Sequence, residues 1–202
     1  MSRREQALES RYWITDEGVQ ALNDSIVDNA RTLLAKTTGW EDDEHGRGTP
    51  ARFVRMLEEL TTPLEFDFTT FPNSEGMDEI VAMRDIPFVS VCNHHVIPFV
   101  GKAYIGYIPN KKIVGLSKLA RVVHYYARRL QVQERLTHQI AERLQEELEP
   151  QGVAVILEAE HFCMTVRGVQ TPGTVTITSA MRGAFIDHTK TAKAEFMQLI
   201  GR

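Results

Sequence analysis

Apolar positions along the chain follow two different periods. Between residues 15 and 38, Val19, Leu22, Ile26, Ala30 and Leu33 with Leu34 form one stripe. That spacing predicts an amphipathic helix with Thr15 or Asp16 as its cap. "GWEDDEHGRGTP" is polar and contains glycine, so it predicts a linker or mobile loop. "TPARFVRMLEEL" predicts a short helix capped by Thr49, with Pro50 in its first turn. The pattern then changes. "IPFVSV" and "GKAYIGYIP" predict strands joined through a histidine-containing turn. The long segment from Ser117 to Pro150 is helical in period, but Gln131 to Gln133 interrupt its stripe and divide it in two. In the second half, Val132, Leu136, Ile140 and Leu144 recur every four residues. "GVAVILEAEHFCMTVRG" predicts a strand or a pair of strands, "GTVTITSAMRGAF" another, and "TAKAEFMQLI" a closing helix. Strands flanking a helical block predict an α+β fold with a largely antiparallel sheet. Roughly the first 60 residues read as a helical appendage to this body.

Composition narrows the classes without choosing among them. The chain has 202 residues, 43% hydrophobic and 25% charged, ordinary for a globular protein. A net charge of -4 gives no global attraction to nucleic acid or a membrane surface. An anionic ligand would need a local basic cluster. "MSRREQALESRYW" lacks the apolar core of a signal peptide, and no apolar run reaches the length of a membrane span. The cysteine count is two, Cys92 and Cys163, which argues against a disulfide framework and for a reducing, cytoplasmic setting.

Both cysteines stand beside histidines. "SVCNHHVIPF" holds Cys92, Asn93, His94 and His95. If it turns, Cys92 and His95 are spaced to grip one ion. In "EHFCMTVRG", a strand would put His161, Cys163, Thr165 and Arg167 on one face, and Phe162, Met164 and Val166 on the other. Cys163 could then add a third ligand. Two thiolates and one imidazole leave a fourth position open, the pattern of a catalytic zinc site. Buried free cysteines and hydrogen-bonded core histidines fit the same spacing.

A second cluster is basic. Ser117 follows Gly115 at a helix start, and Lys118 and Arg121 lie three apart, on one face. A hydroxyl, a lysine and an arginine at a helix N-terminus suit phosphate, and Arg167 could join them. A solvated basic face has the same spacing. Gln133 and Glu134 open the second helix. A carboxylate there could accept two N–H groups from a guanine edge, or simply complement the helix dipole.

These residues resemble a known family. "CNHHVIPFVGKAYIGYIPNKKIVGLSKLARVVHYYARRLQVQERLTHQI" and "EAEHFCMTVRGVQ", with "TPARFVRM" and "TSAMRGAF", are similar to zinc-dependent GTP cyclohydrolase I. The resemblance runs from about Thr49 to Ile200, which sets a catalytic domain of 49–202 behind an extension and linker of 1–48. It implies the tunnelling fold, an antiparallel sheet backed by helices, assembled as two stacked pentamers with active sites at subunit interfaces. It implies hydrolysis and rearrangement of GTP to 7,8-dihydroneopterin triphosphate and formate, at the head of pterin, folate or deazaguanine synthesis. By the same resemblance, Cys92, His95 and Cys163 match zinc ligands. His94, His161 and Ser117 match the proton-handling positions. Lys118, Arg121 and Arg167, with Ser117, match triphosphate contacts, and Gln133 with Glu134 the guanine-binding pair. Arg55 stands where the family often has a lysine reaching from a neighbouring subunit. One letter departs: the family's Cys-Glu-His-His reads Cys-Asn-His-His here, and Asn93 can hydrogen-bond but carries no charge. Two other readings share these residues. The nitrile reductase of the same fold needs a thiol nucleophile, whereas the resemblance assigns both cysteines to zinc. A zinc-binding ring that binds nucleotide without turnover would be favoured by Asn93.

Overall fold

The computed structural model describes residues 16–187 and 191–202, with side chains from Asn23 onward. Thr15, and the side chains of Val19 and Leu22, lie outside the described residues. The chain divides into two compact units, Met1–Glu59 and Leu60–Arg202.

The first unit carries helix α1 (Asp16–Thr38) and most of α2 (Thr49–Thr61). The predicted stripe of α1 is only partly buried: Ala30 is covered, while Ile26 and Leu33 are exposed. The turn after α1 is tied by side chains. Arg31 donates to Asp42 at 2.8 Å and stacks on Trp40, and the Asp43 carboxylate accepts from the backbone N–H of Gly46 at 2.6 Å.

The second unit is built on a five-stranded sheet in the order β5-β2-β3-β6-β7. Its strands are β2 (Val81–Cys92), β3 (Pro98–Ile108), β5 (Leu130–Gln131), β6 (Gly152–His161) and β7 (Val175–Gly183). All neighbours pair antiparallel except β5, which runs parallel to the end of β2. A separate two-stranded ribbon joins β1 (Thr70–Pro72) to β4 (Lys112–Val114). Helices α3 (Leu116–Ala127) and α4 (Gln133–Leu148) cover one face, and α6 (Ala192–Leu199) packs on the other. The α+β class expected from the sequence is therefore what forms.

Period-2 alternation explains how the sheet serves both layers. On the α3/α4 side, Ile86, Phe88, Phe99, Ala103, Ile105, Tyr107, Val153, Val155 and Leu157 meet Leu119, Val122, Leu136, Ile140 and Leu144. The intervening Tyr104, Ile108, Ala154 and Ile156 meet Phe196 and Ile200. Each fully buried Leu or Ile contributes about 1.5–3 kcal/mol. Gly106 permits the second layer: a Cβ there would lie 2.6 Å from the ring of Phe196.

The alternation also places the chemistry. Ile86, Phe88, Ser90 and Cys92 are the buried positions of one face of β2, so its last residue is delivered to the helix-covered side. Phe99 at the start of β3 lies opposite His161 at the end of β6. Three strand ends thus converge at one end of the sheet.

Candidate active site

The reversal between β2 and β3 is what makes Cys92 and His95 neighbours. Cys92 donates its N–H to the Ile97 carbonyl at 2.9 Å, and its own carbonyl accepts from Val96 at 2.9 Å. Asn93 N–H donates to the Gln131 carbonyl at 2.8 Å, which fastens the turn to β5. Closing this loop forces Val96 into the left-handed region, with φ 54°. A β-branched residue there is strained by about 1–3 kcal/mol.

The second part differs from the regular strand expected. Strand β6 stops at His161, and Phe162–Thr165 form a single helical turn, α5. Strand alternation therefore ends at His161, and His161, Cys163, Thr165 and Arg167 do not share a strand face. The helical turn aims Cys163 into the core, where it is buried, and leaves Arg167 exposed on the following loop. Glu160 clasps that loop, accepting from the Thr165 hydroxyl at 3.1 Å and the Gly173 N–H at 3.0 Å.

Cys92, His95 and Cys163 come together, their ligand atoms all within 4.8 Å of one another. Cys92 Sγ lies 3.8 Å from His95 Nδ1 and 3.8 Å from Cys163 Sγ. Tetrahedral zinc at ordinary bond lengths needs about 3.8 Å between two sulfurs and about 3.6 Å between sulfur and nitrogen. The donor set fits. Burial pushes the Cys163 thiol above its ordinary pKa and adjacent Cys92 adds to this, while the Arg167 charge opposes it. A cation between the sulfurs would oppose that rise and favour the Cys163 thiolate. His94 stands beside the group, its Nδ1 4.0 Å from Cys92 Sγ, but belongs to no three-donor cluster among the described residues.

His161 is held differently. Its ring stacks on Phe99 with centroids 4.5 Å apart and planes 4° from parallel. Its Nε2 lies 2.7 Å from Gln133 Oε1. Burial holds its pKa below the ordinary histidine value, and the Glu134 charge opposes that. Gln133 is itself buried, and its amide nitrogen points to the Leu157 carbonyl, the Thr176 carbonyl and the Thr178 hydroxyl. Next to it, Glu134 is exposed in the first turn of α4. The ring stack and the buried amide network were not legible in sequence, because Phe99, Thr176 and Thr178 reach the site only through strand pairing.

Ser117, Lys118 and Arg121 fall in the first two turns of α3, whose N-cap is Gly115. Ser117 and Arg121 are exposed and Lys118 is half-buried. Arg55 lies on α2 within the first unit.

The family model of GTP cyclohydrolase I matches residues 26–201. GTP cyclohydrolase 1 of Aquifex aeolicus is 48% identical over 181 residues, covering 89% of this chain and 98% of that protein. The same enzyme of a Hydrogenobaculum species is 53% identical over 152 residues, covering 75% and 83%. Among solved structures, an apo archaeosine synthase of the QueF-like type aligns with a TM-score of 0.44 at 18% identity, covering 52% of this chain and 93% of that one. Identity near one half along almost the whole chain is the match that decides: the protein belongs to the GTP cyclohydrolase I family.

Proposed function

We propose that the protein converts GTP and water to 7,8-dihydroneopterin triphosphate and formate, using zinc held by Cys92, His95 and Cys163. The observation that carries this reading is the convergence of two thiols and an imidazole, within 4.8 Å, at the end of the sheet. Bound zinc would supply Lewis acidity that makes water nucleophilic at neutral pH.

The chain's own residues supply the rest. His94, beside Cys92, and His161, two residues before Cys163, handle protons as the purine ring opens and closes again. Ser117 serves the same proton movements at the ribose and, with Lys118, Arg121 and Arg167, holds the triphosphate. An exposed carboxylate at Glu134 accepts from guanine N1 and the exocyclic amine. A site built on such pairing rejects analogues by about 10⁴-fold, which makes ATP a poor substrate. Arg55 reaches phosphate from a neighbouring subunit, where its planar fork binds with a geometry a lysine lacks.

The antiparallel sheet backed by helices is the family's tunnelling fold. In this reading 49–202 is the catalytic part and 1–48 an extension. The chain assembles as a decamer of two pentamers, with active sites at subunit interfaces. No helix among the described residues is long and apolar enough to cross a membrane. A cytoplasmic location follows from the reduced thiols that zinc requires. Incubation with GTP and zinc is the test: formate and, after oxidation, a fluorescent pterin are expected. Fully metallated protein that binds GTP without product would overturn the reading in favour of a nucleotide-binding ring.

A further inference from the structure

Gln133 is among the most buried polar side chains of the described residues, and every polar atom of its amide is engaged. Its Nε2 lies 3.2 Å from the Leu157 carbonyl and 3.0 Å from the Thr176 carbonyl, both of which can only accept. Thr178 points to the same orientation. Thr137 Oγ1 donates to the backbone carbonyl of Gln133 at 2.8 Å, so its proton is spent. Thr178, 2.6 Å away, must therefore donate to Thr137, and its remaining lone pair accepts from Gln133 Nε2 at 3.1 Å. The NH₂ group must face these three acceptors, and Oε1 must face His161.

That orientation leaves His161 one arrangement. Oε1 can only accept, so the ring nitrogen 2.7 Å from it, Nε2, must carry a hydrogen. Phe99, stacked 4° from parallel, keeps the ring in that plane. We infer that Gln133 is a positioning residue that holds His161 as its Nε2–H tautomer, with the ring's lone pair on Nδ1. The role in turnover rests on the proposed GTP reaction; the tautomer rests on the hydrogen-bond network alone.

The amide of Gln133 has no donor left for a guanine edge, so the family's Gln–Glu pair divides by role: Gln133 positions the histidine and Glu134 meets the base.

The test is solid-state ¹⁵N spectroscopy of histidine-labelled, zinc-loaded protein, with a His161→Asn sample to assign the signal, beside steady-state kinetics of Gln133→Met. The expected wild-type spectrum shows the neutral Nε2–H form at His161. In Gln133→Met that signal should split between tautomers, and kcat for GTP should fall by about 10–100-fold, as when the orienting partner of an active histidine is removed. KM should change little. An Nδ1–H signal in wild type overturns the inference, as does a raised KM with unchanged kcat in the variant, which would put the amide on the substrate. If Gln133→Met does not fold, the wild-type spectrum alone decides. If wild type forms no formate while the Nε2–H signal is present, the proposed function fails and the tautomer assignment stands.

Discussion

The sulfurs of Cys92 and Cys163 lie 3.8 Å apart although 71 residues separate them in the chain. Strand β2 ends in one thiol and the helical turn after β6 presents the other, and β3 lies between those strands in the sheet. Replacing Cys163 with Ala leaves two donors. Zinc affinity should drop by more than about 100-fold, beyond the loss typical of an outer-shell change. Zinc measured per chain after dialysis against a weak chelator checks this; unchanged stoichiometry removes Cys163 from the ligand set. Because ligand that binds only the folded state stabilises it by about 4 kcal/mol at a thousandfold excess over Kd, the wild type should also melt lower once zinc is stripped.

Glu134 carries the proposed base selection from an exposed position at the start of α4. Glu134→Gln can accept one hydrogen bond where the carboxylate accepts two. The expected result is a fall in kcat/KM for GTP of about 10²–10⁴-fold, with zinc content unchanged. Parallel assays with GTP and inosine triphosphate, which lacks the exocyclic amine, check it. Equal loss on both substrates would remove the contact to that amine.

Val96 closes the turn after Cys92 with φ 54° and is 46% exposed, so little burial is lost on replacing it. Asn accepts the left-handed region more readily than a β-branched residue. Val96→Asn should stabilise the protein by about 1 kcal/mol, read as a rise in Tm. A lowered Tm would mean the valine's contacts outweigh its strain.

Asp85 and Lys102 pair at 2.9 Å across β2 and β3, at the irregularity between Met83 and Ile86. The hydrogen bond from Lys102 holds the Asp85 carboxyl below its ordinary value, and Asp85 holds Lys102 above its own. A lowered carboxylate contributes stability above its unfolded pKa and loses it as pH falls through the folded one. A raised lysine contributes below its unfolded pKa and loses it as pH rises through the folded one. The difference in Tm between wild type and Lys102→Met should therefore be greatest between about pH 5 and about pH 9, and vanish in strong acid and strong base. Both groups are exposed, so the difference is small. A pH-independent difference would assign it to packing of the lysine stem.

Gly106 faces Phe196 at a distance that excludes a methyl group. Gly106→Ala should cost about 1–3 kcal/mol through overpacking. Combining it with Phe196→Leu should recover part of that loss, since residues in contact are not additive. Additive losses in denaturant titrations would show that the sheet relaxes around the new methyl instead.

Much of this was legible along the chain. The four-residue recurrence of Val132, Leu136, Ile140 and Leu144 marked α4, and "HH" between two apolar runs marked the turn. Each signal is local: hydrophobic period and turn chemistry act within a few residues, so sequence alone reports them. The same logic failed at Cys163. Strand alternation beyond His161 reads no differently from what precedes it, yet the chain coils there for one turn. Ile26 and Leu33 also follow a helical period while remaining exposed, because a period fixes which residues share a face and not what covers it.

The sequence by itself determined the α+β class, the identities of the thiols and imidazoles, and membership of the GTP cyclohydrolase I family. It could not decide between a metal site and buried cysteines, since that depends on distances between strand ends. Nor could it divide Gln133 from Glu134, adjacent letters at one helix start. Only pairing β6 with β7 sets the Leu157 and Thr176 carbonyls and the Thr178 hydroxyl around one amide, burying Gln133 while its neighbour faces solvent. Long-range strand register puts the donors in reach of one another, and that register is a property of the folded sheet.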